Sequence, residues 1–161
     1  MISEVELTAR LGLAIVGGAI LGWEREAHNK PAGVKTHMLV ALGSAGFMLA
    51  GLELHEQLLG LNQANNADLM KVLAGIVGGI GFLGAGSIIR AGGTVHGLTT
   101  AATIWVAAAI GIACSLGLYI LAAVSVGLAM ATLLILGLMQ RHFSTSPDHH
   151  APPDQRPDDD G

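Results

Sequence analysis

Two glutamates in the segment WEREAHNKPAGVK are the residues best suited to chemistry in this chain of 161 residues. Glu24 and Glu26 flank Arg25. Mg²⁺ prefers oxygen ligands and is usually held by one or two carboxylates, so this pair is a candidate magnesium site. Three cations in the same segment, Arg25, Lys30 and Lys35, oppose a divalent ion. We therefore favour an ion-paired structural lock or a partner-binding surface over metal coordination, and the identity of any metal stays open.

Recognisable catalytic motifs are absent from the sequence. His55 and Glu56 begin an HE pair, but position 59 is leucine where a metalloprotease has its second histidine. There is no GxSxG motif and no glycine loop with a phosphate-binding lysine. The single cysteine, Cys114, cannot form a disulfide within the chain. We expect a protein that is not an enzyme and that needs no cofactor.

The composition is that of a membrane protein. Apolar residues make up 52% of the chain, charged residues only 12%, and the mean hydropathy is +0.59. The net charge is −4 and no basic stripe with interleaved aromatic residues is present, which argues against a nucleic-acid partner. The lipid bilayer is therefore the expected environment.

Five segments are long and apolar enough to be transmembrane helices, since a bilayer core needs about 17 to 25 residues. They cover residues 7–23, 36–52, 72–89, 98–114 and 116–139. The sequence therefore predicts an all-α, polytopic bundle of five transmembrane helices over residues 7–140. Residues 141–161 are rich in proline, aspartate and histidine, which predicts a disordered cytoplasmic tail.

The basic residues favour an N-terminus outside and a C-terminus in the cytoplasm. Lysine and arginine near span ends are retained on the cytoplasmic side. With this orientation six basic residues lie inside: Arg25, Lys30, Lys35, Arg90, Arg141 and Arg156. Arg90 is then either a topology anchor or the ion-pair partner of Glu24 or Glu26, and His28, His37 and His96 lie near the same face.

The segments that join the predicted spans contain candidate helix caps. Residues 53–70 predict a short amphipathic turn at the interface. Asn65, Asn66 and Asp68 are cap candidates for the third helix. Gly92, Gly93 and Gly97 predict a tight turn, after which Thr99 or Thr100 can cap the fourth helix.

The glycines predict close helix packing, because small residues let helix backbones approach each other in a bilayer. In the first span, Gly18 and Gly22 continue a stripe that begins at Ala14. The third span contains six glycines: Gly75, Gly78, Gly79, Gly81, Gly84 and Gly86. This density predicts a third helix at the bundle centre and is compatible with self-association. The alternative is a helix break that binds an ion through freed carbonyls.

Two long motifs resemble the MgtC/SapB family of bacterial membrane proteins. One is GIVGGIGFLGAGSIIR followed by VHGLTTAATIWVAAAIGIA, and the other is GAILGWEREAHNKPAGVKTHMLVALGSA. The resemblance covers residues 11–139. The family's motif positions correspond to these residues of the chain: Glu24, Arg25, Glu26, Lys35, Thr36, His37, Asp68, Arg90, Thr99, Thr100 and Trp105. Lys71, which follows Asp68, stands where the family more often has arginine.

The resemblance implies a five-span protein of the bacterial inner (plasma) membrane. Many members continue into a cytoplasmic regulatory domain, and this chain resembles a short form without it. The family is linked to magnesium homeostasis and growth in low magnesium, and some members are thought to restrain the ATP synthase. We therefore expect modulation of another membrane complex such as the ATP synthase, with a small Mg²⁺ transporter or channel as the alternative. A continuous third helix favours modulation, whereas freed carbonyls at a wet cavity favour transport.

Overall fold

Five α-helices form the structure, a computed structural model that describes residues 2–60, 68–91 and 93–143, with side chains as far as residue 139. The helices are α1 (Glu4–Ala27), α2 (Val34–Gly60), α3 (Leu69–Gly86), α4 (Leu98–Ser115) and α5 (Tyr119–Phe143). Each is long and apolar enough to cross a membrane. The prediction of five helices that are apolar enough to span a membrane is confirmed, and the orientation of the termini stays a prediction.

Successive helices run in opposite directions through the bundle. Gly22 near the end of α1 lies against Val34 at the start of α2, and Gly84 near the end of α3 lies against Ala101 at the start of α4. Residues 24–37 and 86–100 therefore lie at one end, which we call the hairpin end.

A small β-hairpin connects α3 to α4 and was not expected from the sequence. Strand β1 (Ile89–Ala91) pairs antiparallel with β2 (Thr94–His96), with Arg90 opposite Val95. Gly97 follows with a φ of +88°, and a Cβ at this position would collide with the Ser87 carbonyl oxygen. Gly97 is also the N-cap of α4, with no side-chain hydrogen bond, so the predicted threonine cap is wrong.

Helix α4 occupies the bundle centre, and the prediction that α3 does so is wrong. Each helix contains an apolar stretch of 18 residues. In α4, 56% of this stretch is buried, compared with 11% in α3 and 6% in α5. The core of α4 is built from alanines and isoleucines, including Ala107 and Ile110. Alanine is small enough for close packing and favours the helix more than glycine does, so a count of glycines does not identify the central helix.

Three glycines mark the closest approaches of helix backbones. A Cβ at Gly18 would lie 2.5 Å from the His37 carbonyl oxygen, and one at Gly22 would lie 2.5 Å from the Val34 Cα. Gly111 of α4 faces the Ala41 backbone of α2 in the same way. These contacts seat the start of α2 against both α1 and α4.

The far end of the bundle differs partly from the expectation. Helix α2 continues to Gly60, so a large part of the predicted amphipathic turn is regular helix. Asp68 caps α3 by accepting a hydrogen bond from the Met70 amide at 3.0 Å, as predicted. The other two cap candidates, Asn65 and Asn66, and the predicted tail from residue 144 onward lie outside the described residues.

Candidate functional site

A buried ion pair lies at the hairpin end, near the end of α1. Glu24 and Arg25 are only 6% and 5% exposed, and Arg25 Nη1 lies 3.6 Å from Glu24 Oε2. His28, one turn further along, places its Nδ1 atom 3.1 Å from Glu24 Oε1. Because buried charges are strongly destabilising unless they are paired, we expect Glu24 and Arg25 to act as one unit.

The hydrogen-bonding capacity of this ion pair is not fully used. Glu24 Oε2 and Arg25 Nε are buried and have no hydrogen-bond partner among the described residues. A carboxylate oxygen accepts up to two hydrogen bonds, and the guanidinium Nε donates one. The pair therefore has capacity for further hydrogen bonds that the described residues do not supply.

A second polar contact links α2 to α4. His37 is fully buried, with Nδ1 3.0 Å from the Gly33 carbonyl oxygen and Nε2 3.0 Å from Thr103 Oγ1. A carbonyl oxygen only accepts, so Nδ1 carries a proton. Thr103 Oγ1 also lies 2.9 Å from the Thr100 carbonyl oxygen. The Thr103 hydroxyl has one proton, which it donates either to the Thr100 carbonyl oxygen or to His37 Nε2 when that nitrogen has no proton. The protonation of His37 is therefore linked to the hydrogen bonding of the α4 backbone.

Glu26 caps α2 from the preceding helix. Its Oε2 atom accepts a hydrogen bond from the Val34 amide at 2.9 Å. Gly33 makes room for this contact, since a Cβ there would lie 2.5 Å from Glu26 Oε2. A carboxylate at a helix N-terminus also interacts favourably with the helix dipole. Glu26 is thus a structural cap, unlike its neighbour Glu24.

The structure brings together only part of the predicted motif. Glu24, Arg25, His37 and Thr100 are buried at the hairpin end, whereas five other motif residues are exposed or half-exposed: Lys35, Thr36, Arg90, Thr99 and Trp105. Asp68 lies at the far end, 3.6 Å from Lys71 Nζ. Within the described part of the chain, Arg90 forms no ion pair with Glu24 or Glu26.

Sequence reasoning missed Thr103, which holds the buried histidine. The signal was present, because Thr100 and Thr103 are three residues apart and therefore share a face of a helix that is otherwise apolar. From the sequence, Thr100 is predicted only as a helix cap or a motif position.

No group of three or more metal-ligating side chains occurs within the described residues.

Helix α3 is unbroken from Leu69 to Gly86, so the alternative of an ion-binding break in its glycine run is not supported. Only Gly84 among its glycines approaches another helix, at 3.7 Å from Ala101. The other five have open space where a Cβ would be: Gly75, Gly78, Gly79, Gly81 and Gly86.

The two sides of α3 differ in what they face. One side forms a groove with α2 of about 770 Å³. The opposite side, which we call the outward face, contains Ala74, Gly78, Gly81 and Ala85, all exposed. Their spacing of four, three and four residues places them on one helix face. The outward face is thus a small-residue surface that the described part of the chain leaves exposed.

Comparison with known proteins places these features in a family. The MgtC family model matches residues 11–142. The Escherichia coli protein named "Putative magnesium transporter YhiD" is 39% identical over 84 residues, which cover 52% of this chain and 39% of that protein. Protein SapB of Bacillus subtilis is 34% identical over 87 residues, 54% of this chain and 37% of that protein.

A third relative has the same partial overlap. Protein MgtC of Salmonella typhimurium is 40% identical over 77 residues, which cover 48% of this chain and 29% of that protein. The matched region thus spans well under half the length of each of these relatives. No solved structure matches the chain.

Proposed function

This chain belongs to the MgtC family of membrane proteins, and on that premise we propose that it serves magnesium homeostasis by modulating another membrane complex. The protein is then a multi-pass protein of the bacterial inner membrane, with its N-terminus outside and its C-terminus in the cytoplasm. It acts without catalysing a reaction, by binding a partner within the bilayer.

The observation that carries this proposal is the outward face of an unbroken α3. The exposed side of α5 is covered by bulky side chains such as Ile120 and Leu128, which are 82% and 65% exposed. The outward face instead presents four small residues. In a bilayer, where apolar burial gives helices little reason to associate, such surfaces allow close packing of backbones. A transmembrane helix of a partner therefore fits this face.

The resemblance to family members that restrain the ATP synthase makes a subunit of that complex the first partner to test. We propose photo-crosslinking in native membranes from cells grown in low magnesium. A photoreactive residue replaces Gly78 on the outward face or, as the matched control, Gly127 on α5, which also has open space around it. Discrete adducts with an integral membrane protein from position 78 alone support the proposal. Lipid adducts from both positions contradict it.

Magnesium transport is the second candidate function. The name of the YhiD relative describes magnesium transport. Glu24 Oε2, which is buried and accepts no hydrogen bond from the described residues, is the group that best suits a passing dication. Against transport, α3 is unbroken, and the groove between α2 and α3 is lined mainly by apolar side chains.

Mg²⁺ flux into liposomes that contain the purified chain separates the two candidates. Glu24→Gln removes the buried carboxylate charge, whereas Glu26→Gln keeps an oxygen that can accept from Val34 and serves as the matched control. Modulation predicts no flux above empty liposomes for any variant. Flux that Glu24→Gln abolishes and Glu26→Gln retains would make the protein a transporter.

A further inference from the structure

From the groove between α2 and α3, we infer that the protein has a selective binding site for an anionic phospholipid. Thirteen residues line the groove: Lys35, Thr36, Leu39, Val40, Gly43, Ser44, Phe47, Val72, Gly75, Ile76, Gly79, Ile80 and Leu83. Lys35 is the one charged residue among them. The volume of the groove, about 770 Å³, falls within the range of small-molecule sites, about 300 to 1,000 Å³. This inference does not depend on the magnesium-related function.

Glycines give the groove its concave shape. Gly43 on α2 and Gly75 and Gly79 on α3 have no atom within 4 Å of where a Cβ would be. Larger side chains at these positions would project into the space between the helices. Apart from Lys35, Thr36 and the buried Ser44 hydroxyl, the lining side chains are apolar or absent. The groove walls therefore suit a hydrocarbon chain.

The length of the groove is close to that of one bilayer leaflet. From Lys35 to Phe47 the groove follows α2 over twelve residue steps, about 18 Å at 1.5 Å per step. One leaflet of a bilayer core about 30 Å thick accounts for about 15 Å. Beyond Phe47 the two helices meet, since a Cβ at Gly51 would lie 3.1 Å from the Val72 side chain. The groove therefore matches the length of one acyl chain in a single leaflet.

The charges at the mouth favour an anionic headgroup. Lys35 and Thr36 lie at the hairpin end of the groove and are exposed. Among the described residues, no carboxylate lies within 4 Å of Lys35, nor of Lys30 or Arg90, the other exposed cations of this end. The carboxylates there are engaged, because Glu24 is buried with Arg25 and Glu26 caps α2. A phosphate on Lys35 and Thr36 offsets one of the two uncompensated positive charges of this end.

Quenching by brominated lipids tests this site. Phe47→Trp, in a chain whose own exposed tryptophans are replaced by Trp23→Phe and Trp105→Phe, places a fluorescent reporter on the groove wall. The purified full chain is reconstituted in phosphatidylcholine vesicles. Equal mole fractions of phosphatidylglycerol or phosphatidylcholine with brominated acyl chains are then compared. We expect about a fivefold preference for phosphatidylglycerol, which corresponds to about 1 kcal/mol for one lysine.

Two variants with the same change of charge separate a site from general attraction. Lys35→Gln removes the cation at the mouth, and Lys30→Gln removes an exposed cation of the same end that does not line the groove. We expect the preference to disappear in Lys35→Gln and to persist in Lys30→Gln. Equal loss in both variants, or no preference in the parent, would overturn the inference.

Two further readouts cover the remaining outcomes. Quenching that is weak for both lipids and depends on protein concentration would assign the groove to a second copy of the chain and overturn the lipid site. Native mass spectrometry of the unmodified sequence avoids the tryptophan replacements. There we expect retained phosphatidylglycerol that is lost in Lys35→Gln and kept in Lys30→Gln, and absence of bound anionic lipid contradicts the inference.

Discussion

Replacing Gly22 by alanine should destabilise the fold, because α1 and α2 meet there backbone to backbone. A Cβ at this position would lie 2.5 Å from the Val34 Cα and 2.9 Å from both the Val34 nitrogen and the Gly33 carbonyl oxygen. These are backbone atoms, so no flexible side chain can move aside. The two helices must separate, and the Glu26 cap on Val34 is displaced with them.

The size of the effect follows from two opposing contributions. Overpacking of a well-packed region costs about 1 to 3 kcal/mol. Alanine favours a helix over glycine by about 1 kcal/mol, which partly offsets the loss. Gly78→Ala provides the matched control, since it makes the same change in a helix where a Cβ meets nothing within 4 Å. The difference between the two variants therefore isolates the packing contribution, about 1 to 3 kcal/mol.

The assay is equilibrium unfolding of the purified protein in mixed micelles, with increasing SDS and helix content as the readout. We expect Gly22→Ala to unfold at lower SDS than the parent and Gly78→Ala at equal or higher SDS. Equal stability of the two variants would refute the role of Gly22 in helix packing. A loss in Gly78→Ala alone would refute the placement of α3 at the edge of the bundle.

The remaining predictions concern the caps and the ion pair and use the same unfolding assay. Glu26→Ala should lower the free energy of unfolding by about 1 kcal/mol, while Glu26→Gln keeps an acceptor for α2 and loses less; identical losses would argue against the cap. Asp68→Ala should cost about 1 kcal/mol and Asp68→Asn less, and an unchanged alanine variant would contradict its capping of α3. A double-mutant cycle of Glu24→Ala and Arg25→Ala should show a coupling of about 1 kcal/mol or more, whereas additive losses would mean that the two side chains act separately.

Much of the helical architecture could be predicted from the sequence, because long apolar runs leave few alternatives in a bilayer. Each predicted span overlaps one helix, and Asp68 caps α3 as its residue type indicates. Helix ends were harder to predict. Helix α2 continues to Gly60 through a polar segment, because polar side chains do not prevent the backbone hydrogen bonds of a helix. The β-hairpin was missed because a glycine-rich segment is compatible with many turns.

Tertiary placement could not be read from residue types. The six glycines of α3 predict close helix contacts, but they do not identify the helix that they contact. In the structure, five of them have no atom within 4 Å of where a Cβ would be. Arg90 lies across from Val95 in the hairpin rather than beside a glutamate. His37 could be picked out by its motif, but its contact with Thr103 joins positions 66 residues apart in sequence and required the packed helices.

Growth in low magnesium tests most directly whether the outward face of α3 carries the function. The strain lacks its own copy of the gene and expresses Gly78→Leu or, as the matched control, Gly127→Leu, with insertion and stability of each variant checked in membranes. Both positions have open space around them, so leucine should leave the monomer folded. The account predicts lost growth with Gly78→Leu and normal growth with Gly127→Leu. Normal growth with Gly78→Leu would contradict it.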